Sequence, residues 1–344
     1  MKSNTLQLKK ALSAALFILL LSVVGTKNAL AQNQVATLQH GDSITGVYYG
    51  ESAFNSAYSA AVNGDIITLS SGTFSCVSIS KSITVRGAGC VLDTLTQVVK
   101  TQVTGNFFLN IGAANSSFEG IHFSGTIGMD ASNVSFEKCN IYTISFYSGH
   151  NIFNWQFVNC IIKNCSSTAS GEYSAMGLSF INSVVRFVGY RHTNINYANT
   201  FNNSIVLFNN GLYIKNIVAY NSIFATVSDH TVSGCTFFNC IGIKTGETSL
   251  FSGQTTTNVM EMNGYEDVFE TFTGTVTYNN NYQLKEDIAT SFLGHDGTEV
   301  GIYGGVMPYR TRPNYMIIKS CNVAGRTSED NKLGVEIELL NAGE

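Results

Sequence analysis

Charge is scarce in this chain, and so is proline. Asp, Glu, Lys and Arg make up 12% of the 344 residues, about half the share usual in soluble domains, and there are two prolines. No basic stripe is present to attract nucleic acid, and no acidic block forms a solvated tail; the net charge is −4. Past the N-terminal segment no stretch is long and apolar enough for a membrane span. Nucleophile elbow, phosphate-binding loop and metal-ligand spacing are all missing. What remains is 44% hydrophobic residues, ample for a large core. Few charges and few prolines suit stacked strands whose outer surface is covered in Ser, Thr, Asn and Tyr.

A short phrase recurs through the middle of the chain: apolar, any residue, usually Asn or Gly, a small residue, any residue, apolar. It reads at Phe118 to Phe123, Phe136 to Ile141, Phe157 to Ile162, Phe180 to Val185, Phe201 to Val206, Ala219 to Phe224 and Val232 to Phe237. The first six copies start 18, 21, 23, 21 and 18 residues apart. Repeats of this length, rich in β-branched and aromatic residues, are coils of a solenoid. The first and sixth positions are apolar in every copy and must face an interior. Their odd separation requires a bend between them, since strand side chains alternate. The third position reads Gly120, Lys138, Asn159, Asn182, Asn203, Asn221 and Gly234, and Asn and Gly tolerate a left-handed backbone at low cost. Stacked coils place like residues about 4.8 Å apart. Asn159, Asn182, Asn203 and Asn221 are thus expected to form an amide ladder along the stack, a structural turn ladder in preference to a sugar-binding track.

The eight cysteines follow the same frame. Cys139, Cys160 and Cys235 share the small fourth position with Ser183, Ser204 and Ser222, which marks an inward slot for buried thiols. Cys160 with Cys165 and Cys235 with Cys240 are spaced C-x4-C, roughly 15 Å apart on an extended strand and too far for a bridge. Disulfides elsewhere and a zinc site are the alternatives, the latter without paired His.

Residues 1–31 have the form of an export leader: Lys2, Lys9 and Lys10, then apolar Ala11 to Val24, then Ala29-Leu30-Ala31 before Gln32. No Cys stands beside that cut to carry a lipid. Solenoid ends need covering, because an open coil exposes apolar side chains and unpaired strand edges. The apolar spacing of Phe54, Ala57, Tyr58, Ala61 and Val62 predicts a helical lid over 51–62, stopped by Asn63-Gly64. Strands are expected at Asp65 to Leu69, Cys76 to Ile79 and Ile83 to Arg86. The repeat decays after Cys240 into a less regular stretch, with last strands at Tyr315 to Lys319 and Leu333 to Leu340.

Ala60 to Phe74 (AAVNGDIITLSSGTF) and Ser78 to Gly89 (SISKSITVRGAG) resemble the entry of right-handed parallel β-helix proteins of the pectin-lyase-like superfamily. Tyr282-Gln283-Leu284, Ser291 and Gly294 to Gly305 look like the closing phrase of secreted bacterial members, although Ile288-Ala289-Thr290 and Val300-Gly301-Ile302 depart from its usual wording. The resemblance covers about residues 35 to 310. It implies an all-β fold: a right-handed parallel β-helix solenoid over 32–312, with an N-terminal α-helical cap and a short C-terminal β tail over 313–344. It implies no single activity, because this fold hosts lyases, hydrolases, esterases, adhesins and scaffolds.

A lyase of this fold needs Arg or Lys as base and carboxylates for calcium. Lys163 and Arg186 share the seventh position of adjacent copies and should project side by side. Arg191, His192, Asp229 and His230 lie in the next coils. Glu119 and Glu137 align, but only as a pair, so no metal is assigned. The paired-Asp, Gly-His-Gly and Arg-Ile-Lys phrases of the hydrolases are absent; Gly149-His150 is a partial match, and Asp296 reads as a turn former. For sugar contact the candidates are Tyr142, Tyr190, Tyr197 and Tyr220, with Tyr147 and Tyr173 as further members. The reading is an exported, non-catalytic, carbohydrate-interacting or scaffold protein without cofactor, located in the periplasm, at the cell surface or outside. The alternatives are a polysaccharide lyase acting on uronate glycans, and an adhesion or assembly module docking through Pro313 to Glu344.

Overall fold

The computed structural model describes residues 34–92, 99–146, 152–167, 175–188, 198–208, 213–226, 231–244, 249–310, 317–327 and 333–340. It is an all-β parallel solenoid of the right-handed type, with about eight turns and very few helices. One wall is a parallel ladder of short strands, Ser117–Glu119, Ser135–Glu137, Gln156–Val158, Ser179–Ile181, Asn199–Asn202 and Ile217–Tyr220. Their register puts Phe118, Phe136, Phe157, Phe180, Phe201, Ala219 and Phe237 in one column. All are buried, and the first five rings stack with centroids 4.9 to 5.5 Å apart and planes within 18°. Parallel in-register pairing enforces that stacking, because it repeats each side chain at the strand spacing. The column continues backward through Val85, Ile67 and Leu38.

At the third position the backbone turns left-handed, with φ of 66° at Gly120, 49° at Lys138 and 46° to 53° at Asn159, Asn182, Asn203, Asn221 and Asn239. Beyond the bend lies the second wall, comprising Ile121–Met129, Asn140–Phe146, Ile161–Ser167, Val184–Val188, Ile205–Phe208 and Ile223–Thr226. The fourth position does more than fit a small slot. Ser183 Oγ lies 2.9 Å from the Ile181 carbonyl and 3.2 Å from that of Phe157, placed to donate, while Oγ accepts the N–H of Cys160 at 3.0 Å. Ser204 repeats this pattern one coil on, and the thiols of Cys139, Cys160 and Cys240 sit against the equivalent carbonyls. The bend interrupts regular strand bonding, and a small hydroxyl or thiol satisfies the freed backbone groups.

Two readings of the repeat are corrected, and the strand expected at Cys76 to Ile79 lies instead at Gly72–Ser75. The seventh copy begins at Phe237, not Val232: Ala219 pairs with Phe237, and Cys240 rather than Cys235 takes the small slot. Val232 belongs to a separate short pair, Tyr213–Lys215 with Thr231–Ser233. Five of the coils have a second left-handed corner among the described residues (Asn133, Asn154, Gly177, Asn216, Gly234), so an apolar–x–Gly–small phrase fits either one. Nor does the repeat decay after Cys240, because Thr255–Met262 adds another parallel strand, with Phe237 opposite Thr256 and Cys240 opposite Val259. Among the described residues Cys76, Cys90, Cys139, Cys160, Cys165 and Cys240 form no disulfide, and burial raises the Cys240 pKa to about 12.

At the N-terminal side a helix, α1, spans Ala53–Ala60 and buries Ala53, Phe54, Ala57 and Tyr58. Lys81 Nζ donates to the carbonyls of Tyr58, Ser59 and Ala61 at 3.0, 3.3 and 2.7 Å, a cation at the helix C-terminus where the dipole favours one. Beside it Val35–His40 and Ser43–Tyr49 form an antiparallel hairpin that continues onto Ile66–Leu69. The tail strands, Ile317–Thr327 and Leu333–Leu340, form their own antiparallel pair.

The most consequential feature is the course of residues 264–310, which return along the outside of the second wall. There the fifth positions Ile161, Val184, Ile205, Ile223 and Ile241 are sealed under Phe269, Phe272, Tyr282, Leu284, Val300 and Ile302. Asn182 Nδ2 donates to the carbonyls of Ile302 and Gly304 at 2.8 and 2.7 Å, Asn221 Oδ1 accepts the His295 N–H at 3.0 Å, and Asn239 Nδ2 donates to the Leu293 carbonyl at 3.1 Å. These amides therefore grip the return segment instead of bonding along the stack. The stack-wise amide bond sits at the other corner, from Asn154 Nδ2 to Asn133 Oδ1 at 3.0 Å. Gly301 has φ of 87°, and a Cβ there would lie 3.1 Å from Ile223 Cδ1, so the strap lies flat at that point.

Candidate functional site

The strap divides the outer face of the second wall. The fifth-position column, read from the first coil, is His122, Asn140, Ile161, Val184, Ile205, Ile223 and Ile241. The seventh-position column runs Tyr142, Lys163, Arg186, Leu207, Ala225 and Ile243, and only its last three are buried under the strap. Sequence alternation alone puts these residues on one face; the strap decides which half stays open.

On the open half, Tyr142 is 43% exposed, and the Lys163 ammonium sits 5.1 Å from its ring centroid. Arg186 Nε donates to the Lys163 carbonyl at 3.1 Å, and its guanidinium donates to Asn164 Oδ1. Asn164 Nδ2 reaches the Tyr142 carbonyl at 3.4 Å and Thr143 Oγ1 at 3.3 Å. The structure thus brings Lys163 and Arg186 together with Tyr142 in one array, each cation held by a neighbour. Tyr220 lies on the first wall, stacked on Phe238 at 4.9 Å with planes 7° apart, and does not join them. Arg191, His192, Asp229, His230, Tyr147, Tyr173, Tyr190, Tyr197 and His150 lie outside the described residues. Asp296 accepts from the Thr298 N–H and hydroxyl at 3.1 and 2.8 Å, a turn contact.

The aligned carboxylates prove to belong to a longer charged run. Arg86, Glu119 and Glu137 are in register, with Arg86 Nε 3.9 Å from Glu119 and Lys138 Nζ 3.6 Å from Glu137. Burial, then the neighbouring Glu137, holds Glu119 above the ordinary carboxylate range. Lys138, in the left-handed slot that Asn or Gly takes in the other coils, is 1% exposed, and burial lowers its amine pKa. Among the described residues no three His, Cys, Asp or Glu side chains converge as a metal site, and no helix is long and apolar enough to cross a membrane.

Sequence reasoning missed His122, Asn140 and Tyr278. The repeat phrase leaves the fifth position free to vary, yet it holds five aliphatic residues and then two polar ones. That break was the available signal. His122 and Asn140 are buried side by side, and the Tyr278 ring stands edge-on to the imidazole with centroids 4.8 Å apart. Among the described residues His122 Nδ1, Asn140 Oδ1 and Tyr278 Oη have no partner. Burial, with Lys100 adding repulsion, lowers the His122 pKa from 6.5 to about 4, so the ring is neutral at pH 7.

The depressed value has a measurable consequence. Between pH 6.5 and 4 the unfolded chain binds a proton at this ring that the folded chain refuses, so stability falls as pH drops through that window. The expected loss is on the order of 2 kcal/mol. Chemical denaturation of the native protein and His122→Asn at pH 4, 5 and 6.5 checks this; equal slopes in both proteins would contradict it.

Comparison with known proteins found no matching family model, no matching curated protein and no matching solved structure.

Proposed function

We propose that this protein is an exported β-solenoid of the pectin-lyase-like kind that binds carbohydrate without catalysing its cleavage. One observation carries the reading: an exposed tyrosine ring, two cations and an amide stand in register on the part of the second wall that the strap leaves open. Sugars present apolar faces that pack on aromatic rings and hydroxyls that bond to amides and cations. A rigid parallel ladder holds such groups at a fixed spacing, which lowers the ordering cost of binding. In this reading residues 1–31 direct export and are removed, and α1 with the N-terminal hairpin closes the first coil. The test is calorimetric titration with a panel of oligosaccharides. Tyr142→Ala is expected to weaken binding about tenfold or more, with unchanged thermal unfolding because the ring is surface-exposed. Equal affinity in both proteins would refute the assignment.

The adjacency of Lys163 and Arg186 favours a second reading, a lyase gripping uronate glycans. Uronate polymers incubated with the protein would then give unsaturated-product absorbance that Lys163→Ala or Arg186→Ala removes. The self-paired tail strands suit a third, an assembly module; deleting residues 313–344 would then abolish surface retention.

A further inference from the structure

The fifth-position column changes character at a single step. Through five coils it is Ile or Val, sealed under the strap by apolar side chains. At Asn140, and again at His122, it becomes polar while staying buried, at 1% and 7% exposure. Asn140 Nδ2 donates to the Cys90 carbonyl at 3.2 Å, which fixes the amide and leaves its Oδ1 facing no donor. Beside it His122 Nδ1 is unpaired, and Tyr278, brought over by the strap, leaves its hydroxyl unpaired as well. Buried polar atoms almost always find partners, so three open ones on neighbouring side chains mark a place built for something else.

The chemistry of that occupant follows from the groups around it. Asn140 Oδ1 requires a donor, whereas the imidazole and the phenol each donate or accept according to tautomer and rotamer. A hydroxyl meets all three demands, because it donates one bond and accepts two. Charge is not what the slot selects. His122 and Tyr278 are neutral at pH 7, and Lys100 is the cation that acts on the ring. Asn140 and Tyr142 are alternate residues of the strand Asn140–Phe146 and share its outer face, so the slot adjoins the open tyrosine face.

We propose that His122, Asn140 and Tyr278 form a slot that receives a hydroxyl of a neutral sugar unit whose ring lies on Tyr142. This rests on the reading of the Tyr142 face as carbohydrate-binding, and it names the ligand class as neutral glycan rather than uronate. Tyr142 supplies the platform, and the slot supplies the directional bonds that orient the sugar.

The experiment is calorimetric titration of the full chain with cellotriose, maltotriose and trigalacturonate, using native protein, Tyr142→Ala, Tyr278→Phe and His122→Leu, with thermal unfolding of each. Tyr278→Phe removes only the unpaired oxygen, so its melting temperature should not fall. The expected result is binding of a neutral trisaccharide, weakened about five- to tenfold by Tyr278→Phe, the loss of one hydrogen bond, and further by Tyr142→Ala. Binding that depends on Tyr142 but is unchanged in both Tyr278→Phe and His122→Leu overturns the slot and leaves the tyrosine face standing. The same holds if trigalacturonate alone binds. A lowered melting temperature in Tyr278→Phe with unchanged affinity identifies an ordered water in the slot and also overturns it. Binding of none of the three sugars overturns both proposals.

Discussion

Phe157→Ala is expected to lower the folding free energy by about 4 kcal/mol, because Phe157 stands in the middle of the ring column. Its ring is fully buried and stacks on Phe136 at 5.5 Å and Phe180 at 4.9 Å, with Trp155 at 6.2 Å. Truncation removes apolar burial and leaves a cavity that the neighbouring coils cannot close, since their backbones are fixed by hydrogen bonds along the stack. It also interrupts three aromatic contacts, each worth about 0.5–1.5 kcal/mol beyond burial. Urea unfolding of the variant measures the loss. A cost below about 1 kcal/mol would mean that the rings do not form a continuous packed interior.

Ile223→Asp is expected to release the strap. Ile223 points out of the solenoid, and on an open strand face an aspartate there would cost little. Here it is fully buried between Ile205 and Ile241 and beneath Gly301. An unpaired carboxylate in that position costs several kcal/mol. Opening the strap avoids the cost by admitting water. Limited proteolysis should therefore cut within 264–310 in the variant at least tenfold faster than in the native protein, while the coils resist. Unchanged cutting would show that the strap does not seal this face. Release would also expose Val184, Ile205 and Ile241 together, so the variant should bind a hydrophobic dye strongly.

How much of this could be read beforehand differs from residue to residue. Phe118, Phe136, Phe157, Phe180 and Phe201 were legible because a solenoid repeats one local environment, and a repeated environment writes a repeated residue. The same logic located the Asn bend, where a left-handed backbone narrows the choice. It failed at Val232, because two corners per coil accept the same phrase and only hydrogen-bond register tells them apart. It also failed for the asparagine amides. A column of like residues implies contact along the stack, and Asn182, Asn221 and Asn239 instead meet a segment far away in sequence. At the site, Tyr142, Lys163 and Arg186 could be placed on one face by counting. His122, Asn140 and Tyr278 could not, since burial of an outward position depends on what lies over it.

By itself the order of residues determined the coil, its dry interior and its corners, because those rest on spacing between near neighbours and on backbone preferences local to one or two residues. Which outer face would be covered, and where polar groups would be left unpaired beneath that cover, was decided only in three dimensions. The strap meets the second wall across gaps of up to 156 residues, as between His122 and Tyr278. No periodicity encodes a contact of that length. It exists because an aliphatic column on one surface and an apolar strap each gain by leaving water together.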